Sequence, residues 1–94
     1  MLNPLEELVK IIRERKKVNS EKSYTNKLLN NKKLCVAKVN EEVNELIEAI
    51  EKNDNKIHEA ADVLYHLIVY LEANEIKIED VIEELNKRKN ELRR

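Results

Sequence analysis

Glutamate crowds into one short stretch of this chain, NEEVNEL at residues 40–46, where Glu41, Glu42 and Glu45 fall within five positions. After thirteen intervening residues, the spacing recurs as Glu59 and Asp62 inside HEAADVLYHLIVYL, residues 58–71. Side chains three and four apart on a helix share a face. Glu42 and Glu45 therefore project together, as do Glu59 and Asp62. Buried carboxylates repel one another and resist ionisation, so a cation must offset them. Lysines in ordinary salt bridges are one solution. A hard divalent cation is the other, since it takes oxygen ligands and, in the case of Mg²⁺, usually shares them with the phosphates of a substrate.

The context of the second pair decides how deep it lies. Ten of the twelve residues from Ala60 to Leu71 are apolar and cover the whole circumference, the pattern of a helix buried on more than one side. Asp62 and His66 are the exceptions. With Glu59 they form one strip, opposite the ridge Ile57–Leu64–Leu71, in a partly buried crevice. On the first helix the matching strip is Lys38, Glu42, Glu45 and Ala49, with Glu41 and Glu48 turned further toward solvent. Lys38 could cradle a phosphate or simply pair with Glu42. His66 could bond substrate or orient a carboxylate, or be a satisfied core histidine. His58 reads as surface, and Tyr65 and Tyr70 as packing or interface residues.

The elements that must hold these groups are helices. The chain has 94 residues, no Gly, one Pro, three Tyr as its only aromatics, and 39% charged residues, a profile of an all-α protein. Its 41% apolar content is too high for disorder. The length suits one domain, residues 1–94, with a thin core. Asn3 and Pro4 open a first helix with a stripe of Leu5, Leu8, Val9 and Ile12. KVNSEKSYTN breaks the pattern as a loop entering a short helix near Thr25–Leu29. Asn30-Asn31 reads as a turn in which Asn adopts the left-handed conformation. A long helix follows from about Leu34 to Lys52, with Val39, Val43, Leu46, Ile47 and Ile50 expected inward. NDN at 53–55 is a second turn. Further helices are expected over Lys56–Ala73 and Ile78–Leu92, the last with Ile78, Val81, Ile82 and Leu85 inward. Together these predict a compact four- to five-helix bundle.

Composition also excludes some functions. A formal charge of −1 argues against nucleic-acid binding driven by bulk charge. With no long apolar run and three glutamates in the first fifteen residues, neither a membrane span nor a signal peptide is expected, and the cytoplasm is the expected location. Cys35 stands alone, so no disulfide framework or cysteine metal site is expected, and a small buried hydrophobe is its expected role.

The acidic pattern Glu42-x-x-Glu45 … Glu59-x-x-Asp62 resembles that of the all-α nucleotide pyrophosphatases, the MazG-like superfamily. Within it, SYTNKLL (23–29), AKVNEEVNE (37–45), HEAADVLYHLIVYL (58–71) and EELNKR (83–88) are similar to the phosphoribosyl-ATP pyrophosphatase family, over almost the whole chain. Two positions depart from the family pattern, with Asn near 31 and at 40 where glycine is usual. The resemblance implies a MazG-like all-α fold and Mg²⁺-dependent hydrolysis of phosphoribosyl-ATP, the second step of histidine biosynthesis. It implies that Glu42, Glu45, Glu59 and Asp62 hold Mg²⁺, with Glu41 a further ligand, an outer group or a surface residue. Phosphate contacts would come from Lys38, and more weakly Arg15, Lys27 and Arg88, with the Ser23 and Thr25 hydroxyls. The all-round apolar surface of residues 60–71 exceeds what one bundle covers, so a homodimer is expected, with the next histidine-pathway enzyme a conceivable further partner. The competing readings are a house-cleaning (d)NTP pyrophosphatase of the same superfamily and a non-enzymatic helical interaction module.

Overall fold

A computed structural model of the chain describes residues 3–18 and 23–93. Five helices run in the order α1 (Asn3–Lys17), α2 (Tyr24–Leu29), α3 (Lys32–Lys52), α4 (Lys56–Ala73) and α5 (Ile78–Leu92), with no strand among the described residues. The all-α bundle expected from composition is thus present. Residues 19–22 of the expected loop lie outside the described residues.

Caps explain most of the boundaries. α1 carries Glu6 in its first turn and Arg15, Lys16 and Lys17 in its last, each sign matching the helix dipole. Asn3, expected as its cap, is instead its first helical residue. The Ser23 side chain accepts from Asn26 N–H at 3.2 Å and starts α2. The Asn31 side chain accepts from Leu34 N–H at 3.1 Å and starts α3. This corrects the expectation of a left-handed Asn30-Asn31 turn. Their φ values are −96° and −138°, and Asn40 lies inside a helix, so neither glycine-like position needs a left-handed residue. Among the described residues, the left-handed ones are Asn53, Asn55 and Glu75. At Asn53 the reversal lets Asp54 N–H bond back to Ala49 C=O at 3.0 Å, closing α3 in the manner of a Schellman motif.

The three-residue NDN turn makes α3 and α4 antiparallel neighbours, and their pairing is the most extensive in the fold. α2 lies across α4, and buried Asn26 ties it to α1. Its amide donates to the carbonyls of Arg15, at 2.8 Å, and Val18, satisfying acceptors left over at the end of α1. The core is small: Val9 and Ile12 of α1, Leu28 of α2, Cys35 of α3 and Ile68 and Val69 of α4. Leu5, Leu8, Leu29, Tyr65, Tyr70 and Ile78 pack around it. Cys35 is fully buried there, which pushes its thiol pKa up.

The stripe expected to point α3 inward does so only in part, with Val39 and Leu46 half-buried. Val43, Ile47 and Ile50 are exposed, the last at 57%. The face α3 turns to the bundle is Cys35, Glu42 and Ala49. Likewise Ile82 and Leu85 of α5 are exposed and no residue of that helix is buried. α5 is fastened at its start instead. Arg13 bridges Glu79 of α5, at 2.6 Å, and buried Glu72 of α4, at 3.0 Å, while Lys16 donates to the Glu72 carbonyl at 2.7 Å.

Candidate active site

Because α3 presents its Cys35–Glu42–Ala49 side to α4, Glu42 is carried into the interface between the two helices and is only 7% exposed. Glu45, one turn on, and Glu59, at the start of α4, are half-buried. Carboxylate oxygens of Glu42, Glu45 and Glu59 all lie within 4.8 Å of one another. A second group, also within 4.8 Å, combines Glu59 with Asp62 and His58. Glu59 belongs to both, so the four carboxylates form one continuous acidic strip across the α3–α4 seam, with Glu59 at its centre.

The electrostatics follow from this crowding. Burial, reinforced by Glu45 and Asp62 and opposed by His66, raises the Glu42 pKa. Burial, reinforced by Glu45 and Asp62 and opposed by His58, raises that of Glu59. One oxygen of Glu42 and one of Glu59 are buried with no hydrogen-bond partner. An orphaned buried carboxylate oxygen costs on the order of 1–3 kcal/mol and is rare without a reason. Converging oxygens with unsatisfied lone pairs fit a hard divalent cation better than they fit an ordinary salt-bridged surface.

The other expected site residues divide. Lys38 stands at the rim of the strip, with its ammonium 3.1 Å from Glu41 and 3.8 Å from Glu42. The closer partner is thus Glu41, whose carboxylate is half exposed. The bond with Glu41 raises the Lys38 pKa. Ser23 caps α2, and the Thr25 hydroxyl pairs with the Tyr65 hydroxyl, so both hydroxyls are engaged within the protein. His66 is buried with both ring nitrogens occupied: Nδ1 lies 2.7 Å from the Asp62 carbonyl and Nε2 2.9 Å from the Tyr24 hydroxyl. Arg15 and Lys27 are exposed on α1 and α2, and Arg88 pairs with Glu84 at 3.5 Å along α5. None of these three makes a recorded hydrogen bond or ion pair with the acidic strip.

Two residues went unread in the sequence. His58, taken there as surface, is exposed yet places Nε2 3.3 Å from Asp62 Oδ2. The i,i+4 spacing to Asp62 was the available signal. Tyr24, noticed only as the middle of SYT, is held against His66 and Tyr65, a contact between helices that no spacing within one helix encodes.

A family model described as phosphoribosyl-ATP pyrophosphohydrolase matches residues 5–89. A protein of Clostridium novyi (strain NT) named phosphoribosyl-ATP pyrophosphatase is 41% identical over 95 residues, spanning 97% of this chain and 86% of its own length. One of the same name from Rhodobacter capsulatus is 40% identical over 90 residues, spanning 93% and 87%. A histidine biosynthesis bifunctional protein HisIE from Pyrococcus furiosus is 42% identical over 89 residues, which are 94% of this chain and 42% of that one. The acidic strip, the SYT segment packed against His66 and Tyr65 of α4, and these matches agree: the chain belongs to the phosphoribosyl-ATP pyrophosphohydrolase family.

Proposed function

We propose that this protein hydrolyses phosphoribosyl-ATP to phosphoribosyl-AMP and pyrophosphate, the second step of histidine biosynthesis, with Mg²⁺ held by Glu42, Glu45, Glu59 and Asp62. The reading is carried by one observation above the others: Glu42 is buried with one carboxylate oxygen lacking a hydrogen-bond partner and within 4.8 Å of ligand oxygens of Glu45 and Glu59, in a chain whose relatives bear that enzyme's name. A strip made to salt-bridge lysines would have its buried oxygens paired.

When bound, Mg²⁺ would neutralise charge building on the leaving pyrophosphate and acidify the attacking water. The chain's own groups do the rest. Water attacks the α-phosphorus, and the bond from that phosphorus to the α–β bridging oxygen breaks, its electron pair leaving with pyrophosphate. A carboxylate of the strip, its pKa raised by burial, accepts the water's proton. Lys38 swings from half-exposed Glu41 onto a phosphate. Arg15, Lys27 and Arg88, and the engaged hydroxyls of Ser23 and Thr25, would contact phosphate only after rearrangement or from a second subunit. His66, with both nitrogens filled, acts by position.

The working unit is a homodimer built on the α3–α4 face. Val36, Val43 and Ile50 of α3 step by seven residues, as do Ile57 and Leu64 of α4, and all five are exposed, Ile57 at 88%. A seven-residue apolar seam is the pattern of helices that pack on other helices. The accessible surface is 7458 Å², about 1,800 Å² more than is usual for a folded chain of this mass. Covering that excess on two subunits would bury an area typical of obligate homodimers. No helix among the described residues is long and apolar enough to cross a membrane, which accords with a cytoplasmic enzyme. The fused arrangement of the bifunctional relatives supports a working association with the next enzyme of the pathway.

Pyrophosphate release from phosphoribosyl-ATP and from the common dNTPs, with and without Mg²⁺, tests the assignment. Mg²⁺-dependent turnover fastest on phosphoribosyl-ATP is expected. Faster turnover of dNTPs would favour the house-cleaning reading, and no turnover the interaction module.

A further inference from the structure

Tyr24 is the one half-exposed aromatic residue among the described residues that stands beside the acidic strip. It opens α2 and is 45% exposed, although its ring is fixed by three neighbours. Its hydroxyl lies 2.9 Å from His66 Nε2. The His66 Nδ1 contact is a backbone carbonyl, which only accepts. Nδ1 therefore carries a proton, and Nε2 shares a hydrogen bond with the Tyr24 hydroxyl. The Tyr24 ring stacks on Tyr65, centroids 6.4 Å apart and 22° between planes, and meets His66 edge-on at 5.8 Å and 74°. Tyr65 is in turn tied to Thr25 through its hydroxyl and packs edge-on against His66 at 5.0 Å. One flank of Tyr24 is thus locked against α4 while the rest of the side chain stays open.

The surroundings say what that open surface suits. Lys38, Glu42 and Glu41 are the charged side chains that act on Tyr24, Lys38 most strongly, and Lys38 is held by Glu41 at 3.1 Å. A locked aromatic ring with one open side, one side chain away from the proposed phosphate-handling site, is a platform for a flat cationic group. Phosphoribosyl-ATP offers such a group. A sugar attached at purine N1 makes the base carry positive charge at neutral pH, whereas the base of ATP is neutral.

We propose that Tyr24 is the residue that recognises the base, its ring stacking on the cationic N1-substituted purine and thereby selecting phosphoribosyl-ATP over ATP. The inference rests on the substrate proposed above. Tyr24 lies on the side of α4 that carries His66, away from the Ile57–Leu64 seam, so a homodimer built on that seam leaves the ring open. The hydroxyl's bond to His66 holds the ring ready before substrate arrives, which lowers the cost of ordering it.

The test compares kcat/KM for phosphoribosyl-ATP and for ATP in the wild-type protein, Tyr24→Phe and Tyr24→Leu. A second readout that needs no turnover and no metal is binding of 1-methyl-AMP, whose base is cationic, against AMP, followed by NMR. The expected result is that Tyr24→Leu compresses the preference for phosphoribosyl-ATP by about tenfold, mainly through KM, while Tyr24→Phe keeps it within about threefold. 1-Methyl-AMP should bind the wild type about tenfold tighter than AMP and lose that advantage in Tyr24→Leu. Equal losses on both substrates in Tyr24→Leu would reduce Tyr24 to a structural support for His66 and overturn the proposal, as would equal binding of 1-methyl-AMP and AMP to the wild type. A wild-type protein that fails to turn over phosphoribosyl-ATP would sink the proposed activity instead, and the binding comparison would still decide the role of Tyr24.

Discussion

At the scale of single residues, the proposed chemistry rests most on Glu42, the most buried carboxylate of the acidic strip at 7% exposure. It is also where site and stability conflict. Replacing it with Gln removes a crowded negative charge but keeps the shape. We expect Glu42→Gln to cut activity at least about 100-fold, beyond the cost of losing an outer-shell partner of a metal. The same change should raise the metal-free melting temperature by about 5 °C, equivalent to roughly 1 kcal/mol in a chain of this size. Thermal melts in EDTA beside steady-state assays would check both, and a lowered melting temperature would mean that Glu42 is a structural partner. A pH dependence follows from the same crowding. Glu42 and Glu59 have folded-state pKa values raised above the ordinary carboxylate value. The folded state therefore holds its protons more tightly than the unfolded state does. Their contribution favours folding at pH values below the ordinary carboxylate pKa and is lost as pH rises through the raised values. Metal-free protein should accordingly gain stability as pH falls from neutral toward that range, and saturating Mg²⁺ should flatten or reverse the trend. Melting temperatures measured from pH 7.5 down to pH 5 would show it. The spacing of these carboxylates was legible in the sequence, as was the sheltered setting of Asp62. The depth of Glu42 was not, because depth depends on which side of α3 meets α4.

Among the elements, the ends of α1 and α4 and the start of α5 are tied by charge in addition to the packing of Ile78 against the core. Glu72 is buried at 5% exposure and its carboxylate is met by Arg13 at 3.0 Å and Lys16 at 3.8 Å. Arg13 also reaches Glu79, whose pKa its guanidinium holds down to about 2. Removing Arg13 leaves a buried carboxylate with one distant partner. Arg13→Ala should therefore cost about 2 kcal/mol, the value of a charged hydrogen bond lost from a sheltered acceptor, and lower the melting temperature by about 10 °C. Activity per folded molecule should hold, since the network lies at the other end of α4 from Glu59 and Asp62. Urea melts paired with assays would check this, and a loss of activity without loss of stability would contradict it. Helix boundaries were largely readable, because caps, charge bias and the NDN turn act locally. The links between helices, Arg13 to Glu72 and Glu79, Asn26 to the end of α1, and Tyr24 to His66, join residues 8 to 66 positions apart, and no periodicity encodes such pairings.

For the molecule as a whole, the radius of gyration is 14.8 Å and the principal extents are 47 × 34 × 25 Å, against a radius of about 12.4 Å expected for a compact chain of this length. The open shape, with an apolar seam along α3 and α4, is what the proposed homodimer would cover. Leu64→Glu places a charge at the centre of the proposed dimer face, at a position 57% exposed in the single chain. It should leave the subunit's own core intact yet convert the dimer to monomer, visible by sedimentation or light scattering across a dilution series. A wild-type protein that is monomeric and stably folded at micromolar concentration would remove the dimer from the picture.

The sequence by itself determined the all-helical class, the turns and the four carboxylates on two helices, because propensity, caps and i,i+3 spacing are properties of neighbours along the chain. Which helix faces turn inward was decided only by the tertiary structure. Apolar periodicity marks a surface that must leave water without saying whether its own chain or another covers it. In α3 the two answers differ: Val43, Ile47 and Ile50 stay outside, and the strip beside them carries Glu42 into the bundle. NEEVNEL alone announces acidity, and it is the pairing of α3 with α4 that buries Glu42 beside Glu45 and Glu59 with one carboxylate oxygen lacking a hydrogen-bond partner.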